Sequence, residues 1–451
     1  MGAPRKLILV VIDGLAAATF EAAVDRRRTP ALAYLAEQGE YRRAVSTFPS
    51  LTPVCLSSLA TGAHPDVHRI PHLVWYHRGE GRIVEYGSSF AALRAAGTRR
   101  SIADAIFNMN EQHLGRGAVT VFEALEDAGL TAAAVNITCY RGRTEHRPTL
   151  PGLTRSAFGP RRFFFYNLFE SDVTGAPVAV GGRALGSIDR YAAAVGRWLV
   201  TRDGFDFFAF YLPDYDFASH VSGPDGAAEA LARSDLAITA LMEAAGGPDE
   251  LLERYAVIVC ADHGQTAVRE VVQLATAFDG VKGVLVTASN RAGMVYRRPG
   301  CGLAPDELAA RLDGRPGVEV ALWLEDGEAV ARREGGELRF APAGGSWRTR
   351  GDAAVLDHPG GLERAWAALQ NPNAGEVLLS ASPGFEFADL GGRHHAGGGS
   401  HGSLAAGDSL VPMLAVGVDR LPGSIIEVAP AVLEHFGVEP PPYAASLAHA
   451  A

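Results

Sequence analysis

Runs of apolar residues that stop abruptly on an acid recur along this chain. LILVVID (residues 7–13) carries six apolar positions in succession and ends on Asp13, with Gly14 after it. FDFFAFYLPDYDFASH (205–220) carries a second run and reaches Asp214, Asp216 and His220, and YAVIVCADHGQT (255–266) carries a third that ends on Asp262 and His263. Unbroken apolar runs of this length, rich in β-branched and aromatic residues, predict strands buried on both faces, as in parallel sheets covered by helices. A further run lies at 131–137, and Ala/Leu-rich stretches with helical periodicity occupy 119–128, 184–202 and 226–245. The alternation predicts βα units: an α/β fold with a mostly parallel central sheet and helices on both faces.

The texture changes between about 284 and 345, where VLVTAS, AGMVYRR, VEVALWL and GELRFAP predict short strands around one helix. We read a main domain formed by 1–283 and 346–451, interrupted by a small α+β insertion at 284–345. The central sheet is expected to resume with EVLLSA (376–381) and VPMLAVG (411–417), on either side of the glycine- and histidine-rich GGRHHAGGGSHGS at 391–403.

Composition narrows the function classes. With 451 residues, 47% hydrophobic and 20% charged, the chain can bury a sizeable core and has the balance of an ordinary globular protein. A formal net charge of −10 argues against broad binding to nucleic-acid duplexes or anionic membranes, so an anionic substrate needs metals or a few placed arginines. The N-terminal MGAPRKLILVVIDG has a basic start and a short apolar run, but that run ends on Asp13 without a small-residue cleavage site and fits a first core strand better than a secretory signal. No segment is long and apolar enough to span a bilayer. Cys55, Cys139, Cys260 and Cys301 show no CxxC spacing, so free thiols and a cytoplasmic location are expected.

In open α/β sheets, ligands bind beyond the carboxyl ends of the strands. A lone Asp262 serves equally well as a cap for the following turn. Three strands that each end on acid or imidazole, however, gather hard oxygen and nitrogen donors at one sheet edge, the ligand set of zinc or a similar divalent metal. STFPSLTPVCLSSLATG (46–62) adds a helix start, with Thr52 at the N-cap and Pro53 at the first helical position. Free N–H groups there suit a phosphate or sulfate oxygen, and a threonine hydroxyl beside a metal can attack phosphorus. By itself, the same pattern describes a plain capping threonine.

In this order, Asp13-Gly14, TPVCLSSLATG with HPDVHRI, PDYDFASH, ADHG and SHG resemble the alkaline phosphatase superfamily, and within it the nucleotide pyrophosphatase/phosphodiesterase branch, or type I phosphodiesterases. The resemblance covers roughly 5 to 285 and 376 to 435. It implies two zinc ions and a covalent phospho-threonine intermediate: Asp216, His220 and His401 on one metal, Asp13, Asp262 and His263 on the other, and Thr52 between them as nucleophile. Asp216 and His220 match the family's Asp-x-x-x-His spacing, whereas Asp214 falls outside it and is assigned a supporting role. His394, His395 and His401 share one loop; the family's Gly-x-His-Gly ending favours His401, with His395 as runner-up. A sulfatase would use a cysteine or serine in a C-x-P-x-R pattern, but the nucleophile position falls on Thr52 and no arginine follows Cys55 at the required place.

Two departures bear on the substrate. Many relatives carry an asparagine that binds a phosphoryl oxygen shortly after the HGI-like stretch; here HRIPHLVWYHR (68–78) has none, and Arg69 replaces the glycine. His68, His72 and His77 are either loop histidines with local partners or part of the pocket. Arg141, Arg143 and His146 in NITCYRGRTEHRP (136–148) are candidate clamps for a phosphate or carboxylate, or else a solvated basic loop. RRFFFYNLF (161–169) serves either core packing or stacking on a flat group. The resulting expectation is a zinc-dependent phosphoesterase for phosphodiester or phosphoanhydride bonds of a small phosphorylated substrate, a nucleotide among the options. Its rivals are a phosphomonoesterase or phosphonate hydrolase on the same site, and a metal-binding pseudoenzyme.

Overall fold

The computed structural model describes residues 4–149, 154–166, 168–169 and 188–445. The apolar runs form the middle of a seven-stranded sheet. In chain order its strands are β1 (Lys6–Ile12), β2 (Glu40–Val45), β3 (Ala132–Val135), β4 (Arg162–Phe164), β5 (Phe207–Leu212), β6 (Tyr255–Cys260) and β7 (Leu410–Val416). Their spatial order is β2-β7-β6-β1-β5-β3-β4. The stretch from β6 to β4 pairs in parallel throughout, while β7 runs antiparallel to both β6 and β2. The sheet is therefore mixed. A buried antiparallel strand such as LVPMLAV has no polar alternation to betray it, so its direction is set by its connections rather than by its own composition.

A second seven-stranded sheet is antiparallel throughout: 284–289, 292–297, 377–381, 318–325, 328–333, 336–343 and 346–351, in that spatial order. The strand expected to resume the central sheet, Val377–Ala381, lies here between Ala292–Arg297 and Val318–Glu325. Its side chains alternate between two cores, as period-2 geometry requires. Leu378, Met294, Tyr296 and Leu322 face the main core, whereas Val377, Leu379, Val295 and Trp323 pack with Leu308 and Leu312 in a smaller one. Both faces are thus buried at the middle strands, while the edge strand 346–351 is largely exposed.

The expected helices form at Val121–Asp127, Ile188–Arg202 and Ala228–Ala245, the first with a capping box between Thr120 and Glu123. Positions 184–187 of the second lie outside the described residues. No helix among the described residues is long and apolar enough to cross a membrane. A three-stranded ribbon joins the two halves of the molecule: Thr266–Val272, directly after β6, pairs with Gly384–Phe387 and with Gly399–Ser400. It carries the residue after Ser400, His401, to the end of the central sheet.

Candidate active site

Register explains why the strand-end acids meet. Val11 pairs with Cys260 and Ile12 with Leu212, so β1, β5 and β6 finish level and Asp13, Asp262 and the helix Asp214–Gly226 emerge side by side. Asp216 and His220 are one turn apart on that helix, and their side chains meet with Nε2 3.2 Å from Oδ2. Gly14 turns the chain at φ 73°, and a Cβ there would lie 2.6 Å from Asp216 Oδ1. Only glycine lets the β1 terminus approach this closely.

Each acid has one oxygen tied down. Tyr211 donates its hydroxyl to Asp13 Oδ2, and Gln265 its amide to Asp216 Oδ1. Asp262 Oδ1 accepts from the His263 and Gly14 amides at 2.9 and 3.3 Å. Asp13 Oδ1 and Asp262 Oδ2 are buried with no hydrogen-bond partner, yet both lie 3.4 Å from His263 Nε2.

The three imidazoles follow the same rule. His220 Nδ1 donates to Gly399 O at 2.9 Å, His263 Nδ1 to Gly264 O at 3.1 Å, and His401 Nδ1 to Ser50 O at 2.8 Å. Because a carbonyl only accepts, Nδ1 carries a proton in each ring and each Nε2 is turned toward the cluster, the arrangement that orients metal-binding histidines. The His263 and His401 rings stack at 3.7 Å. Ligand atoms of Asp13, Asp262 and His263 lie within 4.8 Å of one another, as do those of Asp216, His263 and His401. His263 stands between the two groups, and His220 adjoins the second through Asp216.

The electrostatics call for positive charge. Burial, then the charges of Asp262 and Asp216, push Asp13 well above the usual carboxylate range, and burial likewise raises Asp262. Burial also acts to raise Asp216, but the facing imidazoles, His220 foremost, outweigh it and hold it low. Burial and the neighbouring His263 keep His401 neutral. Orphaned carboxylate oxygens, inward-facing Nε2 atoms and a mixed oxygen/nitrogen donor set fit divalent cations.

Thr52 Oγ1 is 3.0 Å from His263 Nε2. The helix start differs by one residue from the expected one: Leu51 is the N-cap, its carbonyl accepting from the Val54 and Cys55 amides at 2.9 Å each, and Thr52 is the first helical residue. Its hydroxyl therefore does not cap its own helix and faces the cluster instead. Cys55, the sulfatase-type candidate, is fully buried, and burial pushes its thiol well up. All four cysteines are free.

A cavity of about 470 Å³ opens over this cluster, lined by Asp13, Thr52, Asp216, His220, His395 and His401 together with an apolar wall that includes Leu73, Met109 and Phe217. His395 reaches the cavity and packs on the His220 ring at 4.1 Å, but its Nδ1 is held by the buried Glu386 at 3.0 Å. His394 is exposed.

Arg141, Arg143 and His146 are not brought to this cavity, which corrects their expected role. Glu123 and Asp127 on the helix Val121–Asp127 capture the two arginines: Arg141 pairs with Glu123 at 3.0 Å, and Arg143 with Glu123 and Asp127 at 2.9 and 2.7 Å. His146 faces the Pro160 carbonyl at 2.8 Å. His68, His72 and His77 each accept a nearby backbone N–H through Nδ1, at 3.0 to 3.1 Å. In the aromatic run, Phe163 and Phe164 are buried in the core, Phe165 and Tyr166 line the cavity, and Asn167 lies outside the described residues. Asp214 accepts from the Ile188 amide at 2.9 Å and only supports the helix.

Sequence reading missed Tyr211, Gln265 and Asn290. Tyr211 and Gln265 adjoin the strand-end motifs and were open to inference from that proximity. Asn290 follows a strand of the second sheet and carries no local signal.

Comparison with known proteins identifies the family and the fold. A family model described as Type I phosphodiesterase / nucleotide pyrophosphatase matches residues 7–404. No curated protein matches the chain by sequence. The fold is similar to that of phosphonoacetate hydrolase from Sinorhizobium meliloti in complex with phosphonoformate (20% identity, 96% of each chain covered, TM-score 0.63). It is also similar to murine ectonucleotide pyrophosphatase / phosphodiesterase 5 (14% identity, 97% of each chain, TM-score 0.64). An inactive variant of that murine protein, with a threonine changed to alanine, was solved in complex with AMP (14% identity, 97% of this chain and 96% of that one, TM-score 0.64).

Proposed function

Because the chain belongs to the type I phosphodiesterase / nucleotide pyrophosphatase family of phosphoesterase-type hydrolases, we propose that it cleaves phosphodiester or phosphoanhydride bonds of a small phosphorylated substrate through a phospho-threonine intermediate on Thr52. The observation that carries this reading is the Thr52 hydroxyl, free of capping duty and 3.0 Å from His263 Nε2, at the edge of three carboxylates and three imidazoles. Asp216, His220 and His401 would hold one cation, and Asp13, Asp262 and His263 the other. Divalent cations held there, zinc in our reading, would supply the positive charge that lowers the pKa of the hydroxyl and offsets the charge on the attacking and leaving oxygens.

The chain's own groups set the rest. Tyr211 and Gln265 fix the carboxylates of Asp13 and Asp216, and three backbone carbonyls fix the imidazole tautomers. Thr52 Oγ1 attacks phosphorus and forms a phosphothreonine diester, the leaving alcohol or phosphate departing with the hydroxyl proton. Water then cleaves that ester, restores Thr52 and releases the phosphate monoester. The apolar wall of the cavity suits an uncharged substituent on the phosphoryl group, and among the described residues no lysine or arginine lines it. This supports a diester over a substrate with a second acidic group, such as a phosphonocarboxylate.

The test pairs metal content by mass spectrometry with hydrolysis of bis(p-nitrophenyl) phosphate, p-nitrophenyl phosphate and phosphonoacetate, before and after chelation. We expect about two zinc per chain, chelator-sensitive activity and a preference for the diester. Thr52→Ala should retain the metals and lose on the order of 10³-fold or more in kcat. Absence of tightly bound metal, with no activity on zinc addition, would sink the assignment, and full activity of the alanine variant would remove Thr52 from it.

A further inference from the structure

Asn290 stands directly after the strand Val284–Ser289, is 6% exposed and lines the cavity with Thr52, Asp216 and His220. Its backbone is left-handed, with φ 56°. The surroundings fix it there. The Phe387 amide donates to the Asn290 carbonyl at 2.7 Å, and the next residue, Arg291, donates its amide to His401 O at 2.7 Å. The Arg291 guanidinium is wholly buried, paired with Asp408 at 2.6 Å and donating to the Phe385 and Ser382 carbonyls. Asn290 Oδ1 accepts from Ser289 Oγ at 3.2 Å, which leaves the amide nitrogen aimed into the site, 2.8 Å from His401 Nε2.

That lone pair on His401 is the one the proposed function assigns to metal binding. Once it is engaged, Asn290 Nδ2 becomes a buried donor in need of an acceptor, and such groups are costly to leave unpaired. Few groups beside Thr52 compete for this role: Pro53 has no N–H, the Val54 and Cys55 amides donate to Leu51 O, and of the 68–78 segment only Leu73 lines the cavity. We propose that Asn290 Nδ2 donates a hydrogen bond to a non-bridging phosphoryl oxygen of the substrate, and more strongly as negative charge builds on that oxygen in the transition state. The second sheet fixes the Asn290 backbone, so a cation on the His401 lone pair turns aside only the side-chain amide, and a donor held on so rigid a support before reaction meets the condition under which such contacts accelerate catalysis. This inference rests on the phosphoesterase reading.

The decisive variant is Asn290→Gly, because glycine accepts the left-handed backbone while removing the amide. Asn290→Asp, also tolerant of this conformation, replaces the donor with an acceptor and serves if the glycine variant does not fold. Zinc content is measured alongside the affinity of the zinc-loaded protein for orthovanadate by calorimetry and kcat and KM for bis(p-nitrophenyl) phosphate. We expect unchanged zinc content, vanadate affinity weakened and kcat lowered, each by about 10²-fold, and KM within a few-fold of wild type. Vanadate affinity and kcat equal to wild type would overturn the assignment. So would loss of zinc with vanadate binding falling only in proportion, since Asn290 would then merely orient His401. If zinc-loaded wild type itself fails to bind vanadate, the phosphoesterase reading falls and this inference with it.

Discussion

Replacing Asp13 with asparagine separates what the acid cluster does for the fold from what it does for metal binding. Asp13 and Asp262 offer oxygens within 4.8 Å of each other in a fully buried setting. Two negative charges at that distance repel by about 3.5 kcal/mol at an effective dielectric of ~20. Part of this is relieved in the metal-free protein by proton uptake, the direction in which Asp13 is already pushed, so about 1–3 kcal/mol remains to be gained. The asparagine is isosteric, its carbonyl can keep the Tyr211 hydroxyl, and its amide can donate to the orphaned Asp262 Oδ2. Unfolding entropy of ~2.1 cal/mol/K per residue makes 1 kcal/mol worth about 1 °C for a chain of this size. The metal-free Asp13→Asn protein should therefore melt about 1–3 °C above metal-free wild type at pH 8. Zinc at 1,000-fold over its Kd should add about 4 kcal/mol per site to wild type, and the variant should lose the increment of one site. Thermal melts in chelator and in zinc, with metal content measured on the same samples, provide the readout. A variant that melts lower than wild type without metal, or that keeps the full zinc increment, would refute the reasoning.

The choice between the loop histidines is open to the same metal measurement: His401→Ala should lose about one zinc per chain, while His395→Ala should keep its full complement because Glu386 already occupies that ring. Arg141→Ala should leave KM within about twofold and lower stability by about 1–3 kcal/mol, since it removes one of the two arginines paired with the buried Glu123; a large rise in KM at unchanged melting temperature would return Arg141 to the substrate. Glu85 is pushed up to about 7 by burial foremost, against hydrogen bonds from the Ser88 and Gly87 amides. The folded state therefore keeps a proton that the unfolded chain has lost, and the contribution of Glu85 to stability falls as pH rises from about 4.5 to about 7, then levels off. Glu85→Gln should match wild type near pH 4.5 and exceed it by up to about 3 kcal/mol at pH 8 in denaturant titrations; a difference that does not vary with pH would show that Glu85 is ionised throughout.

The sequence by itself determined the local pieces of the site. Unbroken apolar runs marked β1, β5 and β6 as buried strands, and strands buried side by side in parallel must end at a common edge, so Asp13, Asp216 and Asp262 were legible as neighbours. Spacing of four on a helix put His220 beside Asp216. Tertiary structure alone decided everything that depends on which distant segment a strand pairs with, because a run buried on both faces reads the same whichever its partner or direction. That is why β7 proved antiparallel and why Val377–Ala381 joined the second sheet. Spacing within the 391–403 loop likewise does not choose between His395 and His401, which only the family resemblance favoured; the pairing of Thr266–Ala267 with Gly399–Ser400 turns His401 toward Asp216 and His263. Charge pairing is equally non-local in its outcome, since Glu123 and Asp127 claim the arginines that an isolated strand end offered to a substrate. Asn290 shows the limit most plainly, for the role proposed for it starts from a hydrogen bond spanning 111 residues to His401, and only the folded chain makes that bond.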